Sequence, residues 1–102
     1  MSDKTTLEGL TIIRHNDGEK GEYHAHLEGH DAIGRLTWIE RGEARVAEHT
    51  LVPREIGGRG VAARLVDALV ADAREQGFKI VPQCSYVEKK FDTNPQWADL
   101  RA

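Results

Sequence analysis

The stretch Val52-Pro53-Arg54-Glu55-Ile56-Gly57-Gly58-Arg59-Gly60-Val61-Ala62 carries the strongest chemical signal in the chain. Its glycines let the backbone approach a ligand closely and take positive φ. If a helix opens at Val61, its unpaired N–H groups and the positive end of its dipole form a site for a phosphate or pyrophosphate. Arg59 can add a charge-assisted contact. A P-loop is excluded, because no Gly-Lys-Ser/Thr occurs anywhere in the chain. Gly58-Arg59-Gly60-Val61-Ala62-Ala63 matches the G-x-G-x-x-A turn of dinucleotide-binding folds. That motif expects an acidic residue about 20 positions later. Here the next strand ends in Val81-Pro82-Gln83-Cys84, and too little chain follows for a doubly wound sheet.

Other side chains can act on protons or acyl groups. Glu48 and His49 are neighbours on a predicted strand, which places them on opposite faces. Either can serve as a general base, directly or through water. The competing reading is a solvated Glu48 and a hydrogen-bonded, packed His49. Cys84 lies just before a predicted short helix, whose N-terminus lowers a thiol's pKa. It reads as a nucleophile, a thiol close to a reacting sulfur, or a small buried hydrophobe. His24, His26 and His30 invite comparison with a zinc site. No Cys, Asp or Glu joins them at ligand spacing, and alternation places them on the solvent side of a strand, so no metal is expected. Trp38 and Trp97 read as core or cover, since no basic stripe accompanies them.

These residues need a frame, and the hydrophobic pattern supplies one. Leu10–Ile13, Tyr23–Leu27, Ile33–Ile39 and Ala44–Val52 read as β-strands, with turn signals at Asn16-Asp17-Gly18, Gly29 and Arg41-Gly42. Short gaps make these neighbours antiparallel. Tyr23, Ala25 and Leu27 share one face, His24 and His26 the other. Pro53 ends the fourth strand. From Val61 to Gln76 the period becomes helical: Val61, Leu65, Leu69 and Ala73 form an apolar stripe flanked by Ala62, Val66 and Val70. Arg64, Asp67, Asp72, Arg74 and Glu75 mostly fall outside it. Gly77 caps this helix, and Phe78–Pro82 is a fifth strand, parallel to the fourth through a right-handed crossover. Ser85-Tyr86-Val87-Glu88 reads as a capping box opening a helix from Tyr86 to Phe91. Asn94-Pro95 breaks it before a last turn through Ala98. The sum is an α/β (α+β) fold: a mixed sheet of four antiparallel strands plus one parallel strand, one long helix and a short C-terminal helix.

The chain has 102 residues, enough for a single domain, residues 1–102. With 39% hydrophobic and 30% charged residues it is an ordinary globular composition, not a disordered one. A net charge of −3 argues against non-specific nucleic-acid binding. One cysteine excludes an intrachain disulfide. Met1–Thr6 lacks an apolar signal core, and no run approaches the roughly 20 apolar residues of a membrane span. A cytoplasmic protein, monomer or weak dimer, with no nucleic-acid or membrane partner is expected.

From Ala44 to Trp97 the chain resembles the GNAT superfamily of N-acetyltransferases, more narrowly a small single-domain branch about this long. The resemblance rests on Glu48-His49-Thr50-Leu51-Val52-Pro53, Gly58-Arg59-Gly60-Val61-Ala62 and Val81-Pro82-Gln83-Cys84-Ser85-Tyr86-Val87, in that order. The superfamily signature is [QR]-x-x-G-x-[GA]. Gly58 and Gly60 fill its glycine positions, but Glu55 stands where Gln or Arg is usual, and Gly57 where the small branch tends to have arginine. The resemblance implies that the strands ending near Val52 and Gln83 splay around the pantetheine arm of acetyl-CoA. Leu51 and Val52 backbone groups would bond that arm, and the N–H groups of Ile56, Gly57, Gly58, Arg59, Gly60, Val61 and Ala62 would cradle the pyrophosphate. A primary amine, small or on a protein, would attack the thioester directly in a ternary complex. Glu48 or His49 would take the amine proton, Cys84 would line the acyl pocket or react, and Tyr86 would protonate the departing thiolate. A non-catalytic acyl-CoA-binding module is the alternative implied by the same motifs.

Overall fold

The computed structural model describes residues 8–102; Met1–Thr6, read above for a signal segment, lie outside them. Five strands form one sheet in the order β1-β2-β3-β4-β5: Leu10–Asp17, Lys20–Leu27, Ile33–Arg41, Ala44–Leu51 and Lys79–Pro82. The first four pair antiparallel and β5 joins β4 in parallel. The 16-residue helix α1, Val61–Gln76, makes the crossover between β4 and β5. Helix α2, Ser85–Asp92, and a 3-10 segment, Pro95–Leu100, complete the chain. The mixed α/β architecture expected from the sequence is therefore the one observed. No described helix is long and apolar enough to cross a membrane.

Several boundaries move. The first turn is Gly18-Glu19, not Asn16-Asp17-Gly18, because Asn16 and Asp17 still pair with Gly21 and Lys20. Gly18 has φ 75°, so the left-handed residue marks the turn while its polar neighbours stay in the ladder. The capping box at Ser85 does not form. Cys84 occupies the N-cap without a side-chain cap, the Glu88 N–H donates to the Cys84 carbonyl at 2.9 Å, and the Glu88 carboxylate pairs with Arg101 instead. Gly77 caps α1 as expected, with φ 82° and its N–H on the Ala73 carbonyl at 2.8 Å.

The core lies on one face of the sheet. Tyr23, Ala25 and Leu27 of β2, Leu36 and Trp38 of β3 and Ala47 of β4 pack under Val61, Leu65, Leu69 and Ala73 of α1. Val87 and Phe91 of α2 and Leu100 join the same cluster, and the Trp97 ring meets Phe91 edge-on with centroids 5.4 Å apart. Gly34 allows α1 to come this close: a Cβ there would stand 3.0 Å from Val61 Cγ1.

Asp72 departs from the expected polar face of α1. It is 5% exposed and turned into the sheet. Its Oδ2 accepts from Arg14 Nε of β1 at 2.8 Å and from the Tyr23 hydroxyl of β2 at 2.7 Å; Arg45 of β4 in turn donates to the Tyr23 oxygen at 3.0 Å. The Arg45 guanidinium is stacked between Trp38 and Phe78, 3.8 and 4.2 Å from the two ring centres. One helical carboxylate thus ties three strands to α1, a charged pair that is stable because both partners are hydrogen-bonded.

Burial, then the hydrogen bond to Asp72, raises the Tyr23 hydroxyl above its ordinary value near 10. A raised pKa means stabilisation complete below the unfolded value and lost as pH climbs through the folded one. Urea unfolding should therefore give a stability contribution from this group that is constant at neutral pH and falls above about pH 10. Tyr23→Phe is expected to cost about 1 kcal/mol at pH 7 and to weaken the alkaline decline. An equally steep decline in that variant would remove Tyr23 as its source.

Candidate functional site

The site is assembled where β4 leaves the sheet. β4 pairs with β3 in register until Thr37 faces His49; Trp38 then faces Ala47, so Glu48 is an extra residue in β4. This β-bulge breaks the two-residue alternation. Thr37 and His49 are direct partners and share a face, and Glu48 lines a concavity that also contains Thr37. Glu48 and His49 are therefore both turned to the face away from the helices, not to opposite faces as alternation predicts. Glu48 is half-buried and in no ion pair with the described residues, while His49 is exposed.

The bulge coincides with the end of β4–β5 pairing. The parallel ladder runs only from Ala44–Lys79 to Ala47–Pro82 and closes with the Cys84 N–H on the Ala47 carbonyl at 2.9 Å. Beyond it, Glu48–Leu51 have no β5 partner, and a wedge opens between β4 and the start of α2. Leu51 is 60% exposed at its mouth. Cys84 and Thr50 meet inside, Sγ to Oγ1 at 3.5 Å. Burial alone raises the Cys84 thiol, but hydrogen bonding with the Thr50 side chain and the N–H groups of Val87, Tyr86 and Thr50 outweighs it, so the thiol lies below its ordinary value. Tyr86, the second residue of α2, is partly buried; burial first, with Asp67 adding and Arg64 opposing, holds its hydroxyl above the ordinary value. Thr50 and Arg64 belong to this environment, although sequence reading singled out neither; only the wedge brings them to Cys84 and Tyr86.

The glycine loop stands at the same end of the sheet. It begins with a 3-10 turn, Arg54–Ile56, in which the Ile56 N–H donates to the Pro53 carbonyl and the Gly57 N–H to the Arg54 carbonyl, both at 3.1 Å. Ile56 is fully buried and anchors the loop. The amides of Ile56 and Gly57, both expected in the cradle over Ile56–Ala62, are thus engaged. No described backbone or side-chain acceptor meets the N–H groups of Gly58, Arg59, Gly60, Val61, Ala62 and Ala63; the first bond inside the helix is Arg64 N–H to the Gly60 carbonyl. Six consecutive donors at the positive end of a 16-residue helix make an anion site. Gly58 and Gly60 reach it through φ 73° and 86°.

The histidines do not gather around a metal. Among the described residues no group of three or more His, Cys, Asp or Glu is arranged to hold one. His24 instead packs at a tilt against His15, with centroids 4.2 Å apart, and bonds Glu22 through Nε2 at 2.7 Å.

A mixed sheet with a bulged fourth strand, a wedge beside a fifth parallel strand and a crossover helix with free N-terminal amides defines an acyltransferase-type fold. The chain belongs to the GCN5-related N-acetyltransferase family, whose profile matches residues 22–100. Among solved structures it is similar to a GCN5-like candidate N-acetyltransferase from Staphylococcus aureus, determined in solution. That match has a TM-score of 0.67 at 25% identity and covers 94% of this chain and 91% of that one. The fold is also shared with the ribosomal-protein-alanine N-acetyltransferase of Brucella melitensis biovar Abortus 2308: TM-score 0.59, 22% identity, covering 84% of this chain and 66% of that one.

The loop geometry separates two glycines. A Cβ at Gly60 meets nothing within 4 Å, so only the left-handed backbone resists substitution; Gly57 has φ −74°, open to any residue. Gly60→Ala should cost about 1–2 kcal/mol in urea unfolding, and Gly57→Ala distinctly less. Equal losses would mean that φ does not decide these positions.

Proposed function

We propose that this chain is an N-acyltransferase that carries an acetyl group from acetyl-CoA to a primary amine, by direct attack in a ternary complex. The observation that carries the reading is the run of free amides from Gly58 to Ala63 beside the β4–β5 wedge. The helix terminus suits a pyrophosphate. The wedge, with exposed Leu51 and half-buried Val52 at its mouth, suits a pantetheine arm. Its unpaired β4 backbone offers hydrogen bonds to the arm's amides and to the thioester carbonyl.

The two sides of the wedge divide the proton transfers. Glu48 faces the open side of the sheet, where an amine enters; Tyr86 and Cys84 lie on the helix side. The amine nitrogen forms a bond to the thioester carbon, and its proton passes to Glu48, directly or through water. As the carbon–sulfur bond breaks, Tyr86 gives its proton to the thiolate. A hydroxyl held above its ordinary value retains that proton at neutral pH. His49, exposed beside Glu48, is the second choice of base. Cys84 lines the acyl end of the wedge; direct attack leaves it no covalent step. Its single free thiol accords with a reducing, cytoplasmic setting.

Titration with acetyl-CoA, followed by NMR, should shift the amides of Gly58–Ala63 and Leu51–Val52, and should slow alkylation of Cys84. With an amine that turns over, Glu48→Gln is expected to lower kcat/KM by about 100-fold or more while cofactor shifts persist. Binding without turnover for any amine would point to the non-catalytic module. No shifts at millimolar acetyl-CoA would overturn both readings.

A further inference from the structure

The sheet face away from the helices carries an ordered array that the donor site leaves unused. Strand register places His15 opposite Glu22, Glu22 opposite Thr37 and Thr37 opposite His49. One row of side chains therefore crosses the sheet from the β1 edge to the bulge at Glu48. Along this row runs a concavity of about 500 Å³, with Asp17, Lys20, Glu22, His24, Thr37 and Glu48 in its lining. Three carboxylates share that lining with one lysine and two histidines.

The carboxylates are not equivalent. Glu22 is held in place: His24 Nε2 lies 2.7 Å from its Oε1, and the hydrogen bond to His24, with weaker attraction from Arg35 and His15, keeps it ionised below its ordinary range. Neither Glu48 nor Asp17, at the outer corner, makes an ion pair with the described residues. Thr37 lies on the row between Glu22 and Glu48, its Oγ1 buried with no hydrogen-bond partner among the described residues. The concavity thus combines apolar surface with carboxylates and is continuous with the proposed base.

We infer that this concavity is the acceptor subsite, and that the acceptor is a small linear amine with a second cationic centre. The reacting nitrogen sits at Glu48 and the second ammonium at Glu22. The inference rests on the acyltransferase reading above. Glu22 and Glu48 lie on strands two spacings apart, about 10 Å, so an extended aliphatic diamine spans them. A monoamine of the same length reaches Glu48 but leaves Glu22 with His24 as its partner.

Diaminooctane and octylamine differ only in that second charge, so they are the probes. NMR titration of the full chain, with coenzyme A present, should show saturable shifts at Glu22, Thr37 and Glu48 for the diamine. Octylamine should bind about two- to fivefold more weakly, and added salt should narrow the gap. Glu22→Gln should bring diaminooctane down to the level of octylamine; if that variant folds poorly, the comparison on the unaltered chain still decides. Equal binding of the two amines, or shifts elsewhere, while coenzyme A still shifts Gly58–Ala63, would overturn the inference and leave the acyltransferase reading intact. Diamine binding with no response to coenzyme A would overturn the acceptor role together with that reading.

Discussion

The extra residue in β4 is the constraint on which the site depends. An antiparallel ladder with β3 and a parallel ladder with β5 cannot both continue past it. Inserting Glu48 between Ala47 and His49 bends the strand, and pairing with β5 stops at the same level. One local irregularity therefore opens the wedge, frees the β4 backbone and turns Glu48 and His49 to a common face. Each would be absent from a strand of uniform alternation.

A wedge is useful only if its walls stay put, and the sheet is held flat against α1 by Asp72. Its links to Arg14, Tyr23 and, through Tyr23, Arg45 reach three of the four antiparallel strands. The N-terminal amides of the helix so fixed stay without internal partners, and Gly34 lets its first turn settle onto β3. At the other wall, the Ala102 N–H donates to the Ile80 carbonyl at 2.8 Å, so the C-terminal residues cover the outer edge of β5. The loop between β4 and α1 is anchored in turn by Ile56, which leaves Gly58–Ala63 free of internal partners.

The fold thereby has two faces with different work. Apolar burial is concentrated beneath α1 and α2, while the opposite face keeps histidines, carboxylates and Thr37. The free amides lie at the edge where β4 and β5 part, and the concavity lies on the open face beside it. The two meet at the bulge, where Glu48 lines the concavity and pairing with β5 stops.

Much of this was legible in the residues. Alternation in Tyr23–Leu27 placed the core face, helical spacing found α1, glycine at 77 found its end, and Gly58-Arg59-Gly60 marked the anion loop, since each is a local property of a few neighbouring positions. Three features were not legible because they are relations between distant segments. Asp72 looks like a surface residue until Arg14 and Tyr23 meet it, 58 and 49 positions away. Glu48 and His49 look like opposite-face neighbours until pairing with β3 shows which residue is extra. Ser85 and Glu88 spell a cap that the backbone leaves unused, because the Ala47 carbonyl fixes the Cys84 N–H and starts the helix a residue early. The sequence by itself determined the elements, their order and the glycine loop, through propensity and period. Only the tertiary structure decided strand register, the bulge and the Arg14–Asp72 ion pair, and so which chemical groups share a face.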